Sequence, residues 1–251
     1  AFLLIDALPG AQRQFLEHTV NALRAEKEPG EYQALKASAR LNDRAVQAGF
    51  AALREGISEA EIAQVIAATY EAAGAAPEFI SVCFGGNGAF PHHHTGPSTL
   101  KRDSAVLIDA GARHMGYPSD MTRVGWFGTP SAEFLKVAAV VEEAVQAALK
   151  ASRPGRPAHE VDDAARGVIT RAGYGPLFKH RTGHGLGLDI HEGPYITAAS
   201  TAPLKEGNVY SIEPGVYQAG AFGLRLEDIV ILRPDGPEIL SDMPRTPVII
   251  A

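Results

Sequence analysis

The chain has 251 residues, 45% of them hydrophobic and 21% charged, with a formal net charge of −6. That length holds one large domain or two small ones with ample core, and the acidic balance speaks against nucleic acid as the main partner. Cys83 is the only cysteine, so no internal disulfide can form, and no apolar run reaches the roughly 18 residues of a membrane span. The start, Ala1-Phe2-Leu3-Leu4-Ile5-Asp6, lacks the basic region of a signal peptide and reads as a cut end. A cytoplasmic protein that does not enter the membrane is expected.

Residues 1–27 read as a short apolar run and then a helical pattern around Phe15, Val20 and Leu23, broken at Glu28-Pro29-Gly30. Leu35, Leu41, Val46, Phe50 and Leu53 recur at helical spacing from Glu31 to Arg54. Ser58 and Glu61 form a capping-box pattern for a helix over 59–73, closed by Gly74. Glu78 to Phe84 reads as a strand, followed by the turn Gly85-Gly86-Asn87-Gly88 and the run Pro91-His92-His93-His94. Ala105 to Ala112 is a strong strand signal running into Asp109, with Tyr117 to Phe127 as its hairpin partner carrying Asp120. Thr129-Pro130 opens a long helix to about Ala151, and a further helix covers about 158–172. Strands are expected near 209–213, 224–232 and 247–250.

The second half repeats the first at an offset of 99 residues. Ala45-Val46-Gln47-Ala48 matches Ala144-Val145-Gln146-Ala147; Glu61, Gly74, Pro77 and Phe79 match Glu160, Gly173, Pro176 and Phe178; His92 matches His191. After a short insertion, Ile108-Asp109-Ala110-Gly111 stands beside Ile212-Glu213-Pro214-Gly215. Two repeats cannot make a solenoid, so they should close on each other about a pseudo-twofold axis. The expected product is an α+β domain with one curved antiparallel sheet and helices on its outer face.

The run Gly183-His184-Gly185-Leu186-Gly187-Leu188-Asp189-Ile190-His191-Glu192-Gly193-Pro194 is too glycine-rich for a helix and lets the backbone approach something closely. Straight strand alternation would put His184 and His191 on opposite faces, so a bend at the glycines should aim both at one point. His184 is read as a metal ligand and His191 as facing a substrate. In the repeat His191 has a partner in His92, whereas His184 falls opposite Gly85 and has none. Asp109, Asp120, His184, Glu213 and Glu227 all have metal-ligand character at strand or loop positions. Carboxylates at the ends of apolar strands are costly to bury unless paired or bound to a cation. An oxygen-rich set with one imidazole suits Mn²⁺, Co²⁺ or Fe²⁺ better than a tetrahedral structural zinc. Four carboxylates are better balanced by two ions than by one.

Pro91-His92, then Asp109 and Asp120 within IDAGARHMGYPSDMTR, His184 in GHGLG, His191 in HEGP, Glu213 in IEPGVY and Glu227 in RLED together resemble the pita-bread metallopeptidases over about residues 28–251. Arg225-Leu226-Glu227-Asp228 is similar to the Xaa-Pro branch, the Xaa-Pro dipeptidases (prolidases) and aminopeptidase P, rather than to methionine aminopeptidases. The resemblance implies a pita-bread catalytic domain over 28–251, with 1–27 as a linker or remnant of an N-terminal domain. It implies two divalent ions, Mn²⁺ first and Co²⁺, Fe²⁺ or Zn²⁺ as alternatives, bridged by Asp120 and Glu227. Asp109 completes one metal site; His184 and Glu213 complete the other. A metal-bridging hydroxide would then cleave the bond before proline in Xaa-Pro dipeptides or N-terminal Xaa-Pro peptides. Glu213 would move the proton, His92 and His191 would hold the substrate carbonyl, and Arg225 would position substrate or ligands. The implied partner is a peptide with proline second, and a homodimer is left open. The rival readings are a methionine aminopeptidase, a metal-free creatinase-like hydrolase and a non-catalytic binding module.

The remaining candidates carry blander expectations. His93 and His94 are read as loop residues, and His18, His114, His159 and His180 as solvated. Tyr117 and Tyr217 are assigned to packing and Cys83 to the core. Thr122, two residues after Asp120, is a candidate to bond the ligands.

Overall fold

Two helix pairs alternate with two groups of strands, in the order the sequence repeat requires. The computed structural model describes residues 7, 10, 17–91 and 93–251. Helix α1 (Glu17–Ala25) leads into α2 (Pro29–Ala51) and α3 (Glu59–Ala72), then strands β1 (Ala76–Phe84), β2 (Ser104–His114), β3 (Tyr117–Pro118) and β4 (Met121–Phe127). Helices α4 (Ala132–Ala151) and α5 (His159–Arg171) open the second half. They precede β5 (Gly183–Gly185), β6 (Glu192–Ile196), β7 (Val209–Ile212) and β8 (Gly215–Gln218). Strands β9 (Phe222–Arg225), β10 (Asp228–Arg233), β11 (Gly236–Ile239) and β12 (Val248–Ile250) complete the chain. Among the described residues no helix is long and apolar enough to cross a membrane.

Local chemistry accounts for the helix starts. The Glu28-Pro29-Gly30 break is where α2 begins: Glu28 is the N-cap, Pro29 sits inside the first turn, and Glu31 closes a capping box. The Ser58/Glu61 box forms on α3, with the Glu61 N–H donating to Ser58 Oγ at 3.2 Å and the Ser58 N–H to Glu61 Oε2 at 2.9 Å. Helix α4 starts later than Thr129-Pro130 suggested, because Ser131 is the residue whose hydroxyl accepts from Phe134 N–H at 3.1 Å.

The single curved sheet expected from the repeat is divided into two five-stranded sheets, β1-β2-β4-β12 with β3 on β2, and β11-β10-β7-β5-β6, plus the two-stranded ribbon β8-β9. Pairing is antiparallel apart from β12 on β4, which is parallel. The expected partner strand 117–127 is two pieces. The chain leaves the ladder at Ser119-Asp120, where Ser119 bonds across to Ala112 through its backbone N–H (2.9 Å) and receives the Ala112 N–H on its hydroxyl (3.0 Å). The approach is so close that a Cβ on Gly111 would lie 2.1 Å from the Ser119 oxygen. The expected strand 224–232 breaks in the same way at Leu226-Glu227. Each break delivers a carboxylate immediately before a strand: Asp120 before β4 and Glu227 before β10.

Alternation along β2 sends Val106, Ile108 and Ala110 into a core with α2 and α3, and Ala105 and Leu107 into the other large core, beneath α4 and α5. Asp109 shares the parity of Leu107 and therefore faces the space between the halves. Fully burying each such aliphatic side chain contributes about 1.5–3 kcal/mol. A third, smaller core joins Leu35 and Ala39 of α2 to Leu186, Val209, Ile229 and Ile231.

Candidate metal centre

Strands from both halves bring side chains to one cleft of about 670 Å³. Asp109 lies in β2 opposite Thr122 of β4. Asp120 and Glu227 sit at the two strand breaks, and the Glu227 N–H donates to the Thr122 carbonyl at 3.2 Å, which sews the halves together. Glu213 follows β7, its N–H held by the Thr182 carbonyl at 2.8 Å. His184 is the middle residue of β5. The glycine before it is needed for contact, since a Cβ on Gly183 would lie 1.8 Å from the Ser211 oxygen. The Ser211 hydroxyl receives the His184 N–H at 2.9 Å and donates to Glu213 Oε1 at 3.1 Å.

The donor set fits a divalent cation on its own chemistry. Nδ1 of His184 lies 3.1 Å from the Gly185 carbonyl, which can only accept, so the ring proton is assigned to Nδ1. Burial pushes the His184 pKa down, and the nearby carboxylate of Glu213 only partly opposes this. Nε2 then presents a lone pair to Asp120 Oδ2 at 3.5 Å and Glu213 Oε1 at 3.4 Å. Asp120, His184 and Glu227, all buried, each bring a ligand atom within 4.8 Å of the others. Burial, and then repulsion from Asp109 and Glu213, pushes the Asp120 carboxyl well above its ordinary range. Glu227 is raised by burial and then by Asp120 and Glu213. Glu213 is raised by burial, against the pull of His184 and Arg225. Such a set takes up protons or a cation. A backbone carbonyl fixing the far nitrogen of the histidine is the arrangement that orients metal-binding imidazoles.

Arg225, at the end of β9, is the cation inside this cluster. It donates from Nε to Thr122 Oγ1 at 2.8 Å, from Nη1 to the Tyr217 hydroxyl at 2.9 Å, and from Nη2 to Asp109 Oδ2 at 2.5 Å. Burial disfavours its charge, but Tyr217, Asp109, Glu227 and Glu213 outweigh this and hold it ionised. Thr122 Oγ1 in turn stands 2.7 Å from Glu227 Oε2 and 3.0 Å from Asp109 Oδ1.

The bend expected in the glycine run is present: the His184 and His191 rings meet edge to face with centroids 4.1 Å apart. His191 lines the cleft. The turn before it is fastened from outside. Lys27 donates to Glu192 Oε1 at 2.7 Å, and Arg24 donates to Glu192 Oε2 at 2.5 Å and Asp189 Oδ2 at 2.6 Å. His92 lies outside the described residues.

Two blander expectations are corrected. His180 is not a surface histidine, and Tyr217 does more than pack. His180 lines the cleft, its Nδ1 donating to the Arg181 carbonyl at 2.7 Å. Its Nε2 therefore accepts from the Tyr217 hydroxyl at 2.7 Å, which itself accepts from Arg225. Burial, first among several causes, pushes the Tyr217 phenol up to about 12, so it stays a donor. The two residues are 37 apart and share no sequence pattern. The Thr122 contact could have been found by counting the hairpin register back to Asp109. His94 is exposed, His159 is half-buried with its Nδ1 3.3 Å from the Ser200 carbonyl, and the His18 side chain lies outside what the structure describes. His93 is a loop residue tied to Glu59 at 3.2 Å, and Cys83 is buried with its thiol pushed up to about 11, chiefly by burial. Tyr117 packs against the third core and donates to Glu31 at 2.9 Å.

Residues 33–234 match the metallopeptidase family M24. An uncharacterized peptidase of Staphylococcus saprophyticus is 38% identical over 240 residues, covering 95% of this chain and 69% of that protein. The crystal structure of X-Pro aminopeptidase from Thermotoga maritima superposes with a TM-score of 0.95 at 34% identity, over 99% of this chain and 71% of that one. Recombinant prolidase from Thermococcus sibiricus superposes with a TM-score of 0.93 at 37% identity, over 99% of this chain and 69% of that one. The chain belongs to the M24 metallopeptidases, with the pita-bread fold of that family. It is a metal-dependent peptidase whose structural neighbours include Xaa-Pro peptidases.

Proposed function

We propose that this chain hydrolyses the bond preceding proline in Xaa-Pro dipeptides or N-terminal Xaa-Pro peptides, with two divalent cations held by Asp109, Asp120, His184, Glu213 and Glu227. The observation that carries the reading is geometric: Asp120, His184 and Glu227, all buried, each bring a ligand atom within 4.8 Å of the others, and His184 Nε2 lies 3.5 Å from Asp120 Oδ2 and 3.4 Å from Glu213 Oε1. Bound cations would polarise the scissile carbonyl and activate water near neutral pH. Asp120 and Glu227 stand at strand breaks, one in each half, and in this reading both would be shared by the two cations. Asp109, held through one oxygen by Arg225, would complete one site, and His184 and Glu213 would complete the other.

Glu213 is the proton carrier in this reading. It would accept a proton from water and pass it to the leaving nitrogen, and Ser211, which donates to its Oε1 at 3.1 Å, fixes the direction of its carboxylate. His191 is placed to donate a hydrogen bond to the carbonyl oxygen as charge develops there, with His92 as its expected partner from the first repeat. Proline needs a dedicated site because its nitrogen has no N–H and its ring fixes φ. Phe79, Pro91 and Ile190 give the cleft an apolar wall on which a pyrrolidine ring can pack.

The test is hydrolysis of Ala-Pro, Ala-Pro-Ala, Ala-Ala and Met-Ala after reconstitution with Mn²⁺, with and without a chelator. Cleavage restricted to the proline peptides and abolished by chelation is expected. Preferential release of methionine from Met-Ala would replace this reading with the methionine aminopeptidase one.

A further inference from the structure

Two arginines line the cleft, Arg181 and Arg225, and they are used differently. Arg225 is spent on Asp109, Thr122 and Tyr217. Arg181 has no carboxylate partner among the described residues; its guanidinium lies over the Tyr195 ring, 5.0 Å from the centroid. Glu78, the lining carboxylate outside the metal cluster, is already held at both oxygens by Arg113. Arg181 is thus a positive charge on the wall of an acidic site, parked on an aromatic face and unspent. It comes three residues before His184, at most about 10 Å of extended backbone, and its charge is felt at that imidazole.

The backbone beneath it is immobilised on both sides. The His180 carbonyl accepts from Arg166 at 2.9 Å, and the Arg181 carbonyl accepts from the His180 ring at 2.7 Å. Asp162 takes the Thr182 N–H at 3.0 Å and its hydroxyl at 2.7 Å, and Asp162 and Arg166 are paired through both oxygens. A rigid base and a stacked head make a pre-organised cation, which binds an anion without first losing its own freedom. A planar guanidinium matches a carboxylate with two parallel hydrogen bonds.

We propose that Arg181, stacked on Tyr195, receives the free α-carboxylate of a substrate that ends at proline, and so makes the chain favour Xaa-Pro dipeptides over longer Xaa-Pro peptides. This rests on the Xaa-Pro reading above. In such a dipeptide the carboxylate is three bonds from the scissile carbonyl carbon, through the nitrogen and Cα, so its place in the cleft is set once the carbonyl is set. Extending the peptide replaces the carboxylate with an uncharged amide and pushes further chain against the Arg181–Tyr195 stack.

The experiment is steady-state kinetics of the Mn²⁺-loaded enzyme on Ala-Pro and Ala-Pro amide, for the wild type, Arg181→Gln and Arg181→Lys. The readout is the ratio of kcat/KM for the acid to that for the amide, which cancels general damage to the fold or the metal centre. The wild type should favour the acid. Arg181→Gln should lower the ratio by about 10- to 100-fold, the range for a charge-assisted hydrogen bond, with the loss entering through KM. Arg181→Lys should recover part of it. A ratio left unchanged by Arg181→Gln, or a wild type that takes the amide as readily as the acid, overturns the role of Arg181 and leaves the Xaa-Pro reading standing. A wild type that cleaves neither peptide overturns the Xaa-Pro reading itself, and this inference with it.

Discussion

In the first half of the molecule the buried carboxylate of Glu59, in the first turn of α3, gathers the backbone N–H groups of Phe84 and Gly96 and the side chains of Asn87 and His93. In the second half Asp162, in the first turn of α5, gathers the Thr182 N–H, the Thr182 hydroxyl and Arg166. The two acids do not align at the repeat offset, yet both pin the strand that follows their helix. The halves share a plan more than they share residues. The proposed ligands follow the same rule. Asp109 and Asp120 come from the first half, and their counterparts Glu213 and Glu227, one methylene longer, from the second. His184 has only Gly85 opposite it. Pseudo-symmetry brings four carboxylates to one place; the departures from symmetry make the two sides of that place unequal.

The hardest way to break the comparison is to remove one of the equivalent strand-break acids. Asp120→Ala should lose metal and activity together, with kcat/KM falling at least about 10³-fold, as expected when a ligand to a catalytic ion is lost. Metal analysis beside the peptidase assay checks this, and wild-type rates in the variant would refute the assignment.

Thr122→Val keeps every ligand but removes the hydroxyl that touches both halves. It should weaken metal binding by about 10- to 100-fold, the usual range for a group that orients ligands. Titration with Mn²⁺ reads this directly, and unaltered affinity would confine Thr122 to packing.

The pH dependence sharpens the comparison without a mutation. The carboxyls of Asp120, Glu213 and Glu227 are raised in the fold, by burial first. Such groups favour the metal-free fold below their unfolded pKa of about 4 and lose that contribution as pH rises through the raised folded values. His184 is lowered, so its contribution is present above about pH 6.5 and lost as pH falls through the folded value. Protons therefore compete with metal at both kinds of ligand. The gap in Tm between loaded and metal-free protein should widen from pH 5 to pH 8; a gap that narrows would contradict the proposed centre.

The smallest effect expected is at the helix caps. Ser58→Ala in the first half and Ser131→Ala in the second should each cost about 1 kcal/mol of stability, measured by denaturant unfolding, and leave metal content alone. A metal deficit in either variant would show that the helices tune the site as well as support it.

Much of this arrangement was legible before the fold was known, because it is written in short-range chemistry. Ser58 and Glu61 announce their helix, apolar runs announce β2 and β7, and acids at the ends of such runs stand out as misplaced. The repeat then implies that these acids meet. What escaped depends on tertiary closure. Tyr217 and His180 are each unremarkable until the ribbon β8-β9 packs against the segment that follows α5. The breaks at Ser119-Asp120 and Leu226-Glu227 read as continuous strand because strand-forming residues stand on both sides of each, and the breaks themselves depend on how the two halves meet. Helix α4 starts at Ser131 and not at Pro130 because a hydroxyl must accept an N–H, a choice between neighbours that composition leaves open.

Counting hydrogens at Thr122 shows how finely that inequality is drawn. Its hydroxyl owns one proton. Arg225 already points an N–H at the oxygen, and two carboxylates from opposite halves wait for the single hydrogen that remains, Glu227 at 2.7 Å and Asp109 at 3.0 Å. One can have it and the other goes without. The shorter contact gives it to Glu227, which leaves Asp109 Oδ1 as a bare oxygen while its twin is clasped by the guanidinium. A hub that is one hydrogen short cannot treat its two neighbours alike, so the centre is lopsided at the level of individual protons before any ion arrives.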